Sequence, residues 1–188
     1  NILLENMLNQ RQIDMLVAYR DKSYVMNVLL EKSFEFYSLI KSVCNVPLIL
    51  ISSVMAILNS GSFDANDMKT PNIVINACTA MLLALINNFK ISEKETTFKS
   101  LATKMIKLCH KIEDILANNL ENTDADDIRM IVAEYDNYLE QIEHGYPHHI
   151  KERVKKLYGG KRTMPSILNC EGGSFKVPIS NVVFDDVV

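Results

Sequence analysis

Two stretches of this chain carry no charged residue, and they limit its fold more than any other feature. Ser42 to Phe63 reads "SVCNVPLILISSVMAILNSGSF" and Thr70 to Phe89 reads "TPNIVINACTAMLLALINNF", in a chain where 23% of residues are charged. Runs of 22 and 20 residues each give roughly 30 Å of helix, enough to cross a bilayer core. Between them "NSGSFDANDMKTP" holds turn formers, and its Asp64, Asp67 and Lys69 want water. The expected element is a helical hairpin with both ends on one side. Its first helix holds Ile, Leu and Val residues that supply about -4 kcal/mol gross on an insertion scale. Amides, hydroxyls and Pro47 erode that margin. The alternative is a hairpin buried inside a soluble bundle.

The polar residues within the spans are spaced regularly. Asn72, Asn76, Thr79 and Asn87 are offset by four, seven and fifteen positions, while Asn45, Ser52 and Asn59 repeat every seven. Each set marks one helical face. Ser52, Ala56, Ala77, Ala80 and Ala84 are small enough to let membrane helices approach closely. These stripes either pack the hairpin and its oligomer or, with several hairpins around an axis, line a pore.

The flanks set an orientation. Lys32, Lys41, Lys90, Lys94, Lys99 and Lys104 lie on the terminal sides of the spans, whereas the connecting loop offers only Lys69. Both termini are therefore expected on the cytoplasmic side. Residues 1–41 read as an N-terminal helical segment running into the membrane, with Ile13, Leu16, Val17, Tyr24, Val28 and Leu39 as apolar positions. After the hairpin, 42–89, comes a membrane-proximal helical region, 90–164. In it Ile91, Phe98, Leu101, Met105, Leu108, Ile112 and Ile115 form a heptad seam that needs a partner, and the N-terminal helix is the nearest candidate. A further helix after "NTDADD" presents Ile128, Ile131, Tyr135, Leu139 and Ile142, and Gly145 closes it. "GYPHHIKERVKKLYGGKR" reads as a short helix opened by Pro147 and closed by Gly159 and Gly160.

Lys151, Arg153, Lys155, Lys156, Lys161 and Arg162 form a basic patch close in sequence, either a solvated face, a contact for anionic headgroups or a partner, or a local contact for nucleic acid. His144, His148 and His149 do not share a helix face, so no metal site is expected. Net charge is -3, which gives no general case for nucleic acid. The scattered Cys44, Cys78, Cys109 and Cys170 suit reduced thiols. No basic region precedes an apolar run at Asn1, so no signal peptide is visible, although a trimmed N-terminus fits the same start. Residues 165–188 are β-branched and turn-rich, an extended tail that would dock on its own domain or on a neighbouring chain. No nucleophile, base and orienting group fall into a recognisable spacing, so neither an enzyme nor a cofactor is expected.

The order of these pieces resembles a known family. A helix leading into "NVPLILISSVMAILNS", a short loop, "PNIVINACTAMLLALINNFKISEKETTFKSLATKMIKLCHKIEDIL" and "YDNYLEQIEHGYPHHIKERV" are similar to the SLATT superfamily of two-transmembrane proteins. Its uncharacterised members in nucleocytoplasmic large DNA viruses are the nearer likeness, over about Phe34 to Leu168. The resemblance implies an all-α membrane protein of a virion's inner membrane, anchoring it to the capsid shell as a minor capsid component. Bacterial members imply instead an oligomeric pore-forming effector, a setting from which this chain departs by lacking a sensor domain. The implied partners are the bilayer, other capsid or membrane proteins reached through the tail and helices, and further copies of the chain.

Overall fold

The computed structural model describes residues 2–60, 65–118, 125–142 and 145–169, and every regular element among them is helical. The first is α1, Ile2–Ser60, an unbroken helix of 59 residues that extends about 90 Å at 1.5 Å per residue. From Gln10 to Cys44 no Gly or Pro interrupts it, and the only proline inside is Pro47. Pro47 has no N–H, so the carbonyl of Val43 lacks its usual helical donor. The N-terminal segment and first span are thus one rod, as the sequence implied.

The second helix, α2, is Ala65–Asn88, so it begins five residues before the expected Thr70. Ala65, Met68 and Lys69 are good helix formers, and Pro71 removes one hydrogen bond without ending the helix. Only residues 61–64, which lie outside the described set, separate the two helices. At the other end the Phe89 and Lys90 N–H groups bond the carbonyls of Leu85 and Asn87, both at 3.0 Å. Lys90 turns the chain with φ 51, a left-handed conformation that a side chain disfavours. The next helix, α3, Ile91–Asn118, starts at once. Both α2 and α3 run back along α1. Leu48 meets Ile86 and Ile91 near the turn, Tyr37 meets Phe98 below it, and Cys109 reaches the Arg20 carbonyl farther down.

The core lies in the lower half of this pair, where α1 and α3 make the most extensive contact in the molecule. On α3 the expected seam is buried from Ile91 to Ile112, with Ile115 half-buried, and α1 is its partner. On α1 the apolar positions named from sequence are covered unevenly. Of the six only Leu16 is buried, and Leu39 is 63% exposed. The buried face instead runs Leu16, Ser23, Met26, Leu30 and Ser33, in steps of seven, three, four and three, with Val25 and Leu29 beside it. Two of its members are serines, which hid the pattern. Ser33 donates to the Leu29 carbonyl at 2.8 Å, whereas the buried Ser23 hydroxyl has no protein partner.

Three further helices thicken this half. The first, α4, Ala125–Glu140, buries Ile128, Ile131 and Tyr135 with Leu139 and Ile142 partly covered, as read from sequence. Lys111–Glu134 at 3.1 Å and Lys104–Gln141 at 2.6 Å tie it to α3. The next, α5, His148–Tyr158, has Pro147 at its N-cap and buries Ile150 and Val154. It closes at Gly159, where a Cβ would come within 2.6 Å of the Lys155 carbonyl oxygen. The expected tail from residue 165 begins instead with a short helix, α6, Ser166–Asn169, whose Leu168 enters the core. The rest of that tail lies outside the described residues.

Two substitutions test this account. Phe98, fully buried between the rings of Tyr37 and Tyr146, should cost about 3–5 kcal/mol of unfolding free energy when replaced by Ala. Lys90→Gly should instead stabilise the protein by about 1 kcal/mol, because only the side chain opposes the left-handed turn. Chemical unfolding in detergent reads both, and a destabilised Lys90→Gly would contradict the turn geometry.

Candidate functional site

The outer surface of the hairpin is the feature to explain. Of the eighteen large apolar residues exposed among those described, fifteen lie between Leu39 and Phe89. Ile49 is 64% exposed, Ile57 70% and Met81 67%, while among the described side chains between 42 and 89 only Leu48, Met55 and Ile86 are buried. A helix in a soluble core has the opposite distribution. Both helices are long and apolar enough to cross a membrane, and the other described residues leave most of their surface uncovered. An apolar surface of this extent marks contact with a membrane or with another protein.

The structure separates the polar residues that sequence spacing grouped. Counting about 1.5 Å per residue from Lys41 and Lys90, where charges resume, places Asn45 and Asn87 about 5–6 Å above the base. Asn59 and Asn72 lie about 27 Å above it, and Ser52, Thr79 and Asn76 about 16–21 Å above it. Asn45, Asn72 and Thr79 are half-buried, on the side of each helix that faces its neighbour. Ser52 and Ser53 donate to the carbonyls of Leu48 and Ile49, both at 2.8 Å, which satisfies them inside the helix. Asn76 and Asn87 are exposed, and the Asn59 side chain is outside the described set.

A collar of cations and aromatic rings closes the base of the hairpin. The Lys41 ammonium donates to Glu95 at 2.6 Å across α1 and α3, Lys94 lies 5.5 Å from the Tyr37 ring centre and Lys99 5.6 Å from that of Phe34. Lys90 pairs with Glu93 at 3.2 Å. These cationic stems and rings are spread over about 14 Å along the rod below the hairpin, and long cationic stems beside rings also occur where protein meets a lipid interface. The hydrogen bond from Lys41 holds the Glu95 carboxyl below its ordinary range, against the opposing effect of burial. Sequence reading found these lysines by counting, but not their partners, because Glu95 is 54 residues from Lys41.

The predicted basic patch is dispersed along α5. His149 packs against Phe36 at 4.9 Å and Tyr158 against Tyr24 at 6.0 Å, so α5 runs down α1 away from the hairpin. Arg162 pairs with Asp21 at 3.1 Å and lies 4.4 Å from the centre of the Tyr24 ring. That level is about 25–30 Å below Lys41, beyond direct reach of headgroups around the collar. Lys151 and Lys155 are half-buried and engaged, while Lys156 and Lys161 are exposed. Arg153 borders a groove of about 420 Å³ between α1 and α5, with Lys32, Phe36, Leu39 and Val154 among its lining. The buried Cys109 thiol is pushed up to about 11, chiefly by burial and then by Glu113, which keeps it protonated and unreactive. Among the described residues no group of three His, Cys, Asp or Glu side chains could hold a metal ion. No protein-family model, curated protein or solved structure matches the chain, so the functional reading rests on the site's own chemistry.

The collar pair predicts a pH dependence of defined sign. A carboxyl held below its ordinary value of 4.5 stabilises the fold above that pH, and this contribution is lost as pH falls through the lowered value. Glu95→Gln should therefore flatten the acid limb of a stability profile below about pH 4.5 while leaving the neutral-to-alkaline limb unchanged. An unaltered acid limb would mean that the pair contributes nothing.

Proposed function

We propose that this chain is a structural membrane protein: the hairpin inserts in a bilayer, and the bundle of α1, α3, α4, α5 and α6 stands on one side as a docking unit. The observation that carries this reading is the apolar outer surface from Leu39 to Phe89, which ends at the lysine collar. Hydrocarbon covers such a surface without a further protein, and the collar places charges at the depth where headgroups begin. Both termini then lie on the cytoplasmic side, following the excess of lysine there. The role is tethering, with no catalytic step. Following the sequence resemblance, the membrane is the inner membrane of a large DNA virus particle and the bundle faces its capsid as a minor capsid component. That setting is carried by the resemblance alone.

The competing pore reading requires the polar stripes to face an axis shared by several hairpins. Asn45, Asn72 and Thr79 are instead turned toward the neighbouring helix of the same hairpin, which favours an anchor. Reconstitution into dye-loaded vesicles followed by flotation tests both readings in one sample. The anchor predicts protein that floats while dye stays inside. Rapid dye loss from floating vesicles would replace the anchor with a pore, and protein left at the bottom of the gradient would defeat membrane insertion altogether.

A further inference from the structure

The bundle leaves one apolar groove open. Below the hairpin three large apolar side chains are exposed among those described, Met15, Met130 and Leu157. Leu157 lines the cavity of about 420 Å³ between α1 and α5, and the exposed Leu39 lines it too. Because Tyr158 meets Tyr24 and His149 meets Phe36, α5 runs antiparallel to α1, with Leu157 at the lower end of the groove and Leu39 at the upper. Val28, Phe36, Ile150 and Val154 form the wall between them. Counted along α1, the groove runs from about 3 Å to about 20 Å below Lys41. Hydrocarbon around the hairpin therefore does not cover it.

The charges of the groove call for an acidic occupant. Lys32 donates to both carboxylate oxygens of Glu35, at 2.8 and 2.7 Å. Arg153, at about the level of Lys32 on the opposite wall, is exposed and pairs with no carboxylate among the described residues. The sequence beyond Asn169, the last described residue, supplies the complement. It holds "VVFDD", Val182 to Asp186, in which three large apolar residues precede two carboxylates. Five extended residues span about 17 Å, the length of the groove. Asn169 stands eleven residues beyond Tyr158 and so within about 40 Å of it. The fifteen residues from Asn169 to Phe184 extend to about 50 Å, so the segment reaches the groove from any position of Asn169.

We infer that Val182–Asp186 of the same chain occupies the groove between α1 and α5. The order along the segment matches the order along the groove. Entering from the lower end, Val182, Val183 and Phe184 meet Leu157, Val28 and Val154, and Asp185 and Asp186 then come level with Arg153. A segment joined by about fifteen residues competes at an effective concentration of roughly millimolar, above that of a separate chain. Of the two docking places that the sequence left open for residues 165–188, this assigns the chain's own domain and gives it a site. The assignment does not depend on the membrane reading.

The test uses the full chain in detergent micelles, with Cys44, Cys78 and Cys170 changed to Ser and the buried Cys109 kept. On mild oxidation Leu157→Cys with Val183→Cys should close an intramolecular disulfide, seen as a faster-running monomer on a non-reducing gel. It should close about tenfold faster than Met130→Cys with Val183→Cys, whose first cysteine is exposed on α4. Arg153→Glu should slow that closure about 2- to 10-fold, and Asp185→Lys with Asp186→Lys in the same chain should restore it. Equal rates at the two positions, an Arg153→Glu chain that closes undiminished, or a charge swap that restores nothing overturns the inference. A disulfide-linked dimer in place of the closed monomer also overturns it and gives the groove to a neighbouring copy.

Discussion

The antiparallel packing of α1 on α3 is the interaction on which the rest of this protein depends. It buries Met26, Leu29, Leu30, Phe98, Met105 and Ile112 completely, and it supplies the surface onto which α4, α5 and α6 add Ile131, Val154 and Leu168. Above the collar the same two-helix rod continues as α1 and α2 but buries almost nothing. The change of environment takes place within a single helix, since α1 passes through the level of Lys41 without a break. Helix formation satisfies the backbone on both sides of that level, so only the side chains change from covered to exposed.

That division explains what was legible from the sequence. The two long apolar helices could be read because a stretch without charge is a one-dimensional signal. The α3 seam and the α4 face could be read because their apolar residues repeat at helical spacing. The α1 face could not, since Ser23 and Ser33 hold core positions and Leu39 is exposed. Small hydroxyl residues fit a tight helix pair: Ser33 bonds its own helix, whereas Ser23 is buried without a hydrogen-bond partner among the described residues. The start of α2 was misplaced for a related reason: turn-forming composition only permits a turn, and Ala65 to Thr70 can equally continue a helix.

Regular spacing also grouped residues that the fold puts to different uses. Asn72 and Thr79 lie on the packed side of α2, Asn76 on an open side and Asn87 at the base. Their offsets fit a shared face only approximately, because a helix of 3.6 residues per turn separates them by tens of degrees. The basic residues after Pro147 were grouped by proximity in sequence, yet a helix running down α1 spreads them along its length. Arg162 then serves the bundle, holding the chain after α5 to Asp21 and Tyr24. Aromatic partners such as Tyr37, Phe98 and Tyr146 come from three parts of the chain, and only the tertiary fold brings them together.

Continuity of α1 has a mechanical consequence for an anchor. A hairpin joined to its soluble part by a Gly- or Ser-rich linker would let that part roam over several tens of ångströms. Here residues 2–41 leave the collar as helix and are themselves the central stalk of the bundle, which packs along them from Tyr37 down to Leu16. Lys41–Glu95 and the Tyr37–Phe98 stack cross the same level from α1 to α3, which doubles the stalk where bending would otherwise be easiest. The hairpin and the bundle are therefore joined without a flexible linker, and the direction of one fixes that of the other.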